Sequence, residues 1–149
     1  MHDFSEWYYK RPTIHVNMGS RTFYNAASLD IKTASYYGEW PSDIEFFEKA
    51  MDIELKNKGK WMTWLTTVTT HQPYSSSSTY GDLYKDNYKA MGYSTSMSRY
   101  LSKLKVLDDA IGVMIDKLTD AKKLDDTVIV LLADHYPYGL NKSTISETI

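Results

Sequence analysis

Residues Val128–Gly139 read VIVLLADHYPYG, an apolar run that ends in an aspartate, a histidine and a turn. The run Thr127–Asp134 shows no polar alternation, which predicts a strand buried on both faces, as in a parallel sheet covered by helices. Ligands of such sheets bind at the carboxyl ends of the strands. Because a buried strand is rigid, it holds the next residues of the chain in place. We therefore expect Asp134 and His135 to lie at a functional edge of a sheet.

The segments before this strand predict an alternation of strands and helices. One long helix is predicted over about Thr95–Lys123 and another over Pro41–Gly59, because apolar residues recur at helical spacing in both. Strands are predicted at Thr13–Val16 and Trp61–Val68, where β-branched and aromatic residues cluster. The order strand, helix, strand, helix, strand favours parallel pairing. We therefore expect a single α/β domain over residues 1–149, with a mainly parallel sheet flanked by helices.

Three other segments and one helix start carry local signals. Ser42 followed by Glu45 is typical of a capping box at the start of the second helix. Ser20–Leu29 opens with a candidate N-cap serine and is expected to hold a short helix. Thr33–Trp40 is aromatic and irregular, which predicts a loop. Ser75–Ser94 is polar and rich in tyrosine, and we expect a long loop of the kind that is often functional.

Composition limits the classes of protein that fit. Of the 149 residues, 42% are hydrophobic and 24% charged, which is ordinary for a globular domain. The net charge of −2 argues against a nucleic-acid partner, because such proteins concentrate positive charge on one face. The chain has no cysteine, so a thiolate metal site and a disulfide are both excluded.

The pair at the end of the last predicted strand suits a divalent metal ion. Asp134 offers a hard oxygen and His135 a borderline nitrogen, a combination that Mn²⁺ and Zn²⁺ accept and that is unusual for Ca²⁺. His71 comes after the middle strand, so parallel pairing would bring it to the same edge. The competing interpretation is a structural one, in which the two residues only cap a turn.

The remaining candidate residues favour structural roles. Asp108 and Asp109 lie beside an apolar helical stripe and are expected to be solvated. His15 lies inside a predicted strand and is expected to be a core residue, while His2 is expected to be exposed near the terminus.

Two hypotheses compete with catalysis. In the first, the tyrosine-rich segment Ser75–Tyr93 docks a polymer or a partner, with Tyr80, Tyr84 and Tyr88 as its contacts. In the second, the chain is a structural α/β domain without a site.

The order of these motifs resembles the carboxyl-terminal part of the lipoteichoic acid synthase family. These proteins are sulfatase-like phosphoglycerol transferases of the alkaline phosphatase superfamily. The resemblance runs from about Ile14 to Asn141, and four stretches carry it: Tyr36–Met51, Thr69–Tyr74, Tyr100–Ile111 and Asp126–His135. It implies a partial sulfatase-like layered fold whose amino-terminal half is missing.

The resemblance implies a role for each matched residue. Asp134 and His135 match two metal ligands, for Mn²⁺ first and for Mg²⁺ or Zn²⁺ otherwise. His71 matches a histidine that contacts the substrate, and Trp40 is expected to line the same site. The nucleophilic threonine of the family is expected upstream of this chain. One departure is Tyr136–Gly139, where two extra residues stand before the glycine, so a ligand just beyond His135 is not carried over.

The resemblance also implies an activity and a location. The expected substrate is a phospholipid headgroup or a glycerophosphate polymer, and the parent enzyme would be anchored at the extracellular face of a bacterial membrane. The chain itself is expected to be soluble, inactive alone and weak in metal binding. Its natural partner would be the missing amino-terminal half, and self-association is expected where that half would cover the sheet.

Overall fold

The computed structural model describes residues 1–2, 8–32 and 40–146, and helices dominate this part of the chain. The bounds of the α-helices are α1 Arg11–Asn17, α2 Asp43–Glu54, α3 Thr79–Leu83, α4 Lys85–Ala90, α5 Thr95–Asp120 and α6 Lys142–Ile145. Single 3₁₀ turns lie at Tyr8–Lys10 and Leu124–Asp126. The predicted loop Thr33–Trp40 falls almost wholly outside the described residues.

The core forms where α2 packs on α5. Both predicted helices are confirmed, because each presents one apolar stripe, and the two stripes face each other. Phe46 and Ala50 of α2 are fully buried, as is Ala110 of α5. The other buried members of this cluster are Met1, Leu29, Ile31, Phe47, Met51, Met114 and Leu118.

The amino-terminal strand prediction is wrong. Thr13–Val16 lies inside α1. This helix has a proline in its first turn, and none of its residues is fully buried. Ile14 and Val16 remain exposed, so no sheet holds these β-branched residues in an extended conformation. Pro12 at the start of the helix has the fixed backbone angle that a first helical turn requires.

The predicted parallel sheet is not formed among the described residues. Their one β-bridge joins His2 to Thr66 in the parallel sense. The strands predicted at Trp61–Val68 and Thr127–Asp134 are not formed among the described residues: apart from the bridge at Thr66, neither segment has strand pairing, and no hydrogen-bonded ladder joins them. The second segment was expected to be buried on both faces and is instead exposed: Val128 is 88% exposed and Leu132 is 74% exposed. The faces of a strand are buried when a sheet is formed and covered by other elements, and no strand in the part of the chain that the structure describes pairs with this segment.

The tyrosine-rich segment is not a simple loop. Residues 75–94 contain α3 and α4, and the side chain of Ser78 caps α3 by accepting a hydrogen bond from Gly81 N at 3.2 Å. Ser102 of α5 fixes this region at two points. Its hydroxyl donates to Tyr80 O at 2.6 Å and accepts from Tyr84 N at 2.9 Å. The segment is therefore packed against α5.

Two smaller predictions need correction. Ser42 does precede α2 as its N-cap residue, but its side chain makes no capping hydrogen bond, and Glu45 Oε1 instead accepts from Lys32 N at 2.7 Å. Ser20–Leu29 holds turns rather than a helix. Asn25 and Ser28 stabilise these turns through reciprocal side-chain bonds to backbone groups.

None of the described helices has the length and apolar character needed to cross a lipid bilayer.

Candidate functional site

A cavity of about 500 Å³ is lined by residues from both segments. Its lining includes Trp61, residues 63–67 and residues 127–135, together with apolar side chains of α5 such as Leu107 and Ile111. His71, Asp134 and His135 all line this same cavity. The structure therefore brings together the three polar residues that the sequence singled out at the ends of two separate segments.

The loops at the ends of the two segments touch each other. A Cβ atom built on Gly139 would lie 2.7 Å from Tyr74 Cδ2 and 2.9 Å from Gln72 Oε1. Burial, with smaller contributions from Tyr100 and the Asp134 charge, raises the pKa of Tyr74 to about 12. These contacts place the ends of both segments at the same rim of the cavity.

Asp134 and His135 form an open pair at that rim. His135 Nε2 lies 3.7 Å from Asp134 Oδ2, and both side chains reach solvent. His135 Nδ1 lies 2.7 Å from Tyr136 O, and its ring stacks on Tyr138 at 5.0 Å between centroids. Because a carbonyl oxygen only accepts hydrogen bonds, Nδ1 carries the proton. The other ring nitrogen, Nε2, is on the side of the ring where the carboxylate lies.

His71 is held in the same way on the facing loop. Its Nδ1 donates to Gln72 O at 2.9 Å, which leaves Nε2 for a ligand. Trp40 Nε1 donates to the same carbonyl at 2.8 Å, and the Trp40 ring packs on the imidazole at 4.6 Å between centroids. Trp40 therefore lies beside His71.

A buried lysine that was not predicted from the sequence stabilises the loop that carries His71. Lys103 of α5 is 1% exposed, and its Nζ donates to His71 O at 2.7 Å. The ammonium also lies 5.8 Å from the centre of the Tyr74 ring. In the sequence, the lysine stands within a helical stripe whose neighbours are mostly apolar. A charged side chain at such a position indicates a buried partner, because a buried lysine is almost always paired.

A second pair missed in the sequence fixes the start of the turn. Asp43, at the first position of α2, is fully buried, and its Oδ1 accepts from Val68 N at 3.0 Å and Thr69 N at 3.3 Å. Thr69 Oγ1 accepts from Asp43 N at 2.9 Å and donates to Pro41 O at 2.8 Å. These bonds attach the end of the extended segment to the helix that packs on α5.

The expectation that His2 is exposed is wrong. His2 is 3% exposed, and its backbone N donates to Tyr24 O at 2.9 Å. Burial, followed by the charges of Arg11 and the terminal amine, lowers the pKa of His2 to about 4. Arg11 lies nearby and donates from Nη1 to Thr66 Oγ1 at 3.4 Å, whereas its buried Nε has no hydrogen-bond partner among the described residues.

The remaining candidates lie away from the cavity. His15 belongs to α1 rather than to a strand, is half-buried and contacts Phe23 at 5.6 Å between ring centroids. The prediction that both helical aspartates are solvated is confirmed for Asp108 only. Asp109 is half-buried, pairs with Lys105 and accepts from Tyr84 Oη at 3.2 Å.

Comparison with known proteins gives the family. The family model described as Sulfatase matches residues 1–145. The chain belongs to the sulfatase family. It is 26% identical over all 149 residues to the lipoteichoic acid synthase of Staphylococcus saprophyticus and 24% identical to those of Staphylococcus aureus strains USA300 and NCTC 8325. The chain covers 22% of the length of each of these relatives. No solved structure matches it significantly.

Sulfatase-superfamily domains are generally α/β and generally use divalent metal ions. In this sulfatase-family chain the chemistry of Asp134 and His135 suits such an ion, but their number does not suffice. No group of three or more acidic or histidine side chains close enough to hold a metal occurs in residues 1–2, 8–32 and 40–146. Protein-held ions need three or four ligands as a rule.

Proposed function

We propose that this chain is part of a metal-dependent phosphoglycerol transferase that acts on a phospholipid headgroup to build or modify a cell-envelope polymer. The observation that supports this most is the meeting of His71, Asp134 and His135 around one cavity. Membership of the sulfatase family and the likeness to lipoteichoic acid synthases favour the same reaction class.

Asp134 and His135 would be two of the metal ligands. The proton on Nδ1, held by Tyr136 O, leaves Nε2 as the donor, and the neighbouring carboxylate oxygen lies on the same side. A carbonyl that fixes the tautomer is a common support for a metal-binding histidine. When bound, the ion, Mn²⁺ first and Mg²⁺ or Zn²⁺ otherwise, would polarise a phosphoryl group and lower the pKa of a nucleophilic hydroxyl.

His71 and Trp40 would contact the headgroup. Nε2 of His71 is free of the Gln72 carbonyl and can hydrogen-bond a phosphate or glycerol oxygen. The Trp40 ring packs on the His71 imidazole and limits its rotation. Lys103 donates a hydrogen bond to the backbone carbonyl of His71. These supports keep the imidazole oriented before the substrate arrives, which lowers the entropy lost on binding.

The chain covers 22% of the length of the lipoteichoic acid synthases it matches, and we propose that the nucleophilic threonine and the remaining metal ligands come from a part of such a protein that this chain does not span. The chain alone would then be inactive, and that part would be its partner. The parent enzyme would act at the extracellular face of a bacterial membrane, where phospholipid headgroups are accessible. This chain would contribute one wall of the catalytic centre.

Sulfate ester hydrolysis or phosphoethanolamine transfer is the main alternative, because the matching family model carries the sulfatase description. The binding-module hypothesis has weaker support. Tyr84, one of its three contacts, donates to Asp109 and packs under Lys105, so its polar group is used within the fold.

The proposal predicts where Mn²⁺ and a headgroup analogue bind. In NMR spectra of the ¹⁵N-labelled chain, millimolar Mn²⁺ should broaden the resonances of Asp134 and His135 first. Its affinity should be weak, because two ligands leave the ion largely hydrated. Adding glycerophosphate should then shift the Trp40 indole signal and the imidazole of His71.

The Asp134→Asn variant should lose the Mn²⁺ broadening, while Asp108→Asn, at an exposed carboxylate outside the cavity, should retain it. Broadening centred on another acidic cluster, or sub-micromolar affinity, would contradict the partial metal site. Shifts with inorganic sulfate but not with glycerophosphate would instead support the sulfatase alternative.

A further inference from the structure

Thr69 begins the turn that carries His71, and its side chain lies wholly inside the protein. Its hydroxyl group makes two hydrogen bonds: Oγ1 accepts from Asp43 N at 2.9 Å and donates to Pro41 O at 2.8 Å. A hydroxyl can donate and accept at the same time, whereas valine, which has a similar shape, can do neither. One buried side chain therefore joins the turn to a segment that lies 26 to 28 residues earlier in the chain.

The Thr69 hydroxyl satisfies the start of α2 in place of the residue that precedes the helix. The first N–H groups of a helix have no partner within the helix. Ser42 stands at the N-cap position, but in the described part of the chain its side chain makes no capping hydrogen bond. Asp43 N donates to Thr69 Oγ1 instead, and Asp43 Oδ1 accepts in turn from Thr69 N at 3.3 Å. The start of α2 and the turn therefore hold each other reciprocally.

The two segments that Thr69 joins carry Trp40 and His71. Trp40 directly precedes Pro41, whose carbonyl accepts the hydroxyl bond, and His71 follows Thr69 by two residues. The two rings lie 4.6 Å apart between centroids, and Trp40 Nε1 donates to Gln72 O at 2.8 Å. Only short stretches of backbone thus separate the buried hydroxyl from both rings.

We propose that Thr69 is a positioning residue for the contact with a phospholipid headgroup, because its hydroxyl fixes the Trp40 ring against the His71 imidazole. The inference rests on the proposed function for what the two rings contact, but the positioning itself can be measured without a ligand. An unpaired buried N–H or C=O group is costly. Without the hydroxyl, Asp43 N and Pro41 O would therefore shift toward other partners, and Trp40 would move with them. Rings held in place before a ligand arrives lose less freedom on binding.

NMR of the side chains tests the positioning in the free chain. The indole ring displaces the ring C–H resonances of His71 from their usual positions, and Trp40→Leu measures that displacement. Thr69→Val, which keeps the shape of the side chain and removes the hydroxyl, should lose most of the displacement. Thr69→Ser, which keeps the hydroxyl, should retain it. Full displacement in Thr69→Val would overturn the proposal.

Ser102→Ala is the matched control for stability. Ser102 is also fully buried, and its hydroxyl likewise accepts from one backbone N–H, that of Tyr84, and donates to one carbonyl, that of Tyr80. Its loss should lower the midpoint of urea denaturation about as much as Thr69→Val does, since each change removes the same two kinds of bond. The displacement at His71 should be unchanged in this control. An equal loss of displacement in both variants would reveal a general effect of stability and would refute the positioning role.

A glycerophosphate titration in the presence of Mg²⁺ connects the positioning to the proposed function. The Trp40 indole signal of the wild-type chain should shift, and Thr69→Val should weaken the affinity by about tenfold, because two rings are no longer held in place. An undiminished affinity in Thr69→Val would overturn the proposal. If glycerophosphate left the wild-type signal unmoved while Thr69→Val lost the displacement at His71, the headgroup contact would fail and the positioning by Thr69 would stand.

Hydrogen exchange on the wild-type chain needs no substitution, so it decides the case in which Thr69→Val does not fold. If one hydroxyl holds both segments, the same local opening releases the Trp40 indole N–H and the Asp43 amide. Their protection factors should then agree within about tenfold. An indole N–H that exchanges much faster than the Asp43 amide would show that Trp40 moves independently of Thr69, which is contrary to the proposal.

Discussion

Single side chains with unusual burial support the loops around the cavity. Lys103 holds the His71 carbonyl, Asp43 accepts two backbone N–H bonds from Val68 and Thr69, and His2 is enclosed near the parallel bridge. A buried polar group is tolerated when its hydrogen bonds are made, and its loss leaves a partner unsatisfied. These residues therefore contribute more to the fold than exposed polar groups do.

The buried neutral imidazole of His2 should make stability depend on pH. Its pKa is lowered from 6.5 to about 4 in the folded chain, so between these values the unfolded chain binds a proton that the folded chain does not. Stability is therefore lost as the pH falls through this window, by about 2 kcal/mol between about pH 7 and pH 5. Urea denaturation at both pH values measures the loss.

The His2→Asn variant should show a smaller loss of stability over this pH range. His15→Asn should keep most of the wild-type dependence, because His15 is half-buried whereas His2 is 3% exposed. An unchanged pH dependence in His2→Asn would contradict the assignment.

The extended segments are positioned by the loops at their carboxyl ends. The 61–68 segment ends in a turn bonded to Asp43, and the 127–134 segment ends in a loop that packs on Tyr74. Close contact at Gly139 sets the distance between the two loops, and hence between His71 and the Asp134–His135 pair. A side chain at position 139 would push the loops apart.

Gly139→Ala should therefore destabilise the chain by about 1–3 kcal/mol, as overpacking against a buried ring does. The ring is that of Tyr74, which is 5% exposed and has little room to move. The matched control is Gly112→Ala, inside α5, where nothing lies within 4 Å of the added Cβ atom. This control should stabilise the chain by about 0.5–1 kcal/mol. Equal effects in thermal denaturation would contradict the role given to Gly139.

The molecule as a whole depends on one helix pair. Helices α2 and α5 contribute seven of the ten buried residues in the main core cluster, and Met114 and Leu118 of α5 also line the cavity. Since the extended segments contribute little burial, the core is smaller than that of an ordinary domain of this length. The stability of the isolated chain should accordingly lie near the lower end of the range for folded domains.

Phe46→Ala should remove about 3–5 kcal/mol, because Phe46 is fully buried and packs edge-on against Phe47 at 5.7 Å. This loss is comparable to the whole free energy of unfolding of a marginal domain, so the variant should be largely unfolded by circular dichroism at 37 °C. Val16→Ala, at a half-exposed position of α1, should change stability by less than about 0.5 kcal/mol. A folded Phe46→Ala chain would show that the core lies elsewhere.

Sequence patterns predicted the parts of the fold that depend on local periodicity. The stripes of α2 and α5 repeat at helical spacing, and both helices formed within a few residues of their predicted ends. Prediction was poorer where a partner decides the conformation. Thr13–Val16 has β-branched residues but no neighbouring strand, so it joined a helix. The tyrosine-rich segment formed two short helices because α5 offered hydroxyl groups to bond with.

The sequence alone determined the chemistry of the rim: an aspartate and a histidine after one apolar run, and a histidine after another. The type of each residue and its place after an apolar run can be read from the sequence without knowledge of the packing. Only the tertiary structure decided that the two loops meet through Gly139 and Tyr74, that Lys103 and Asp43 lie beneath them, and that the run 128–133 remains uncovered. The reason is physical, because burial and strand pairing arise between segments far apart in the chain, and a local pattern shows which residues can pair but not whether a partner is there.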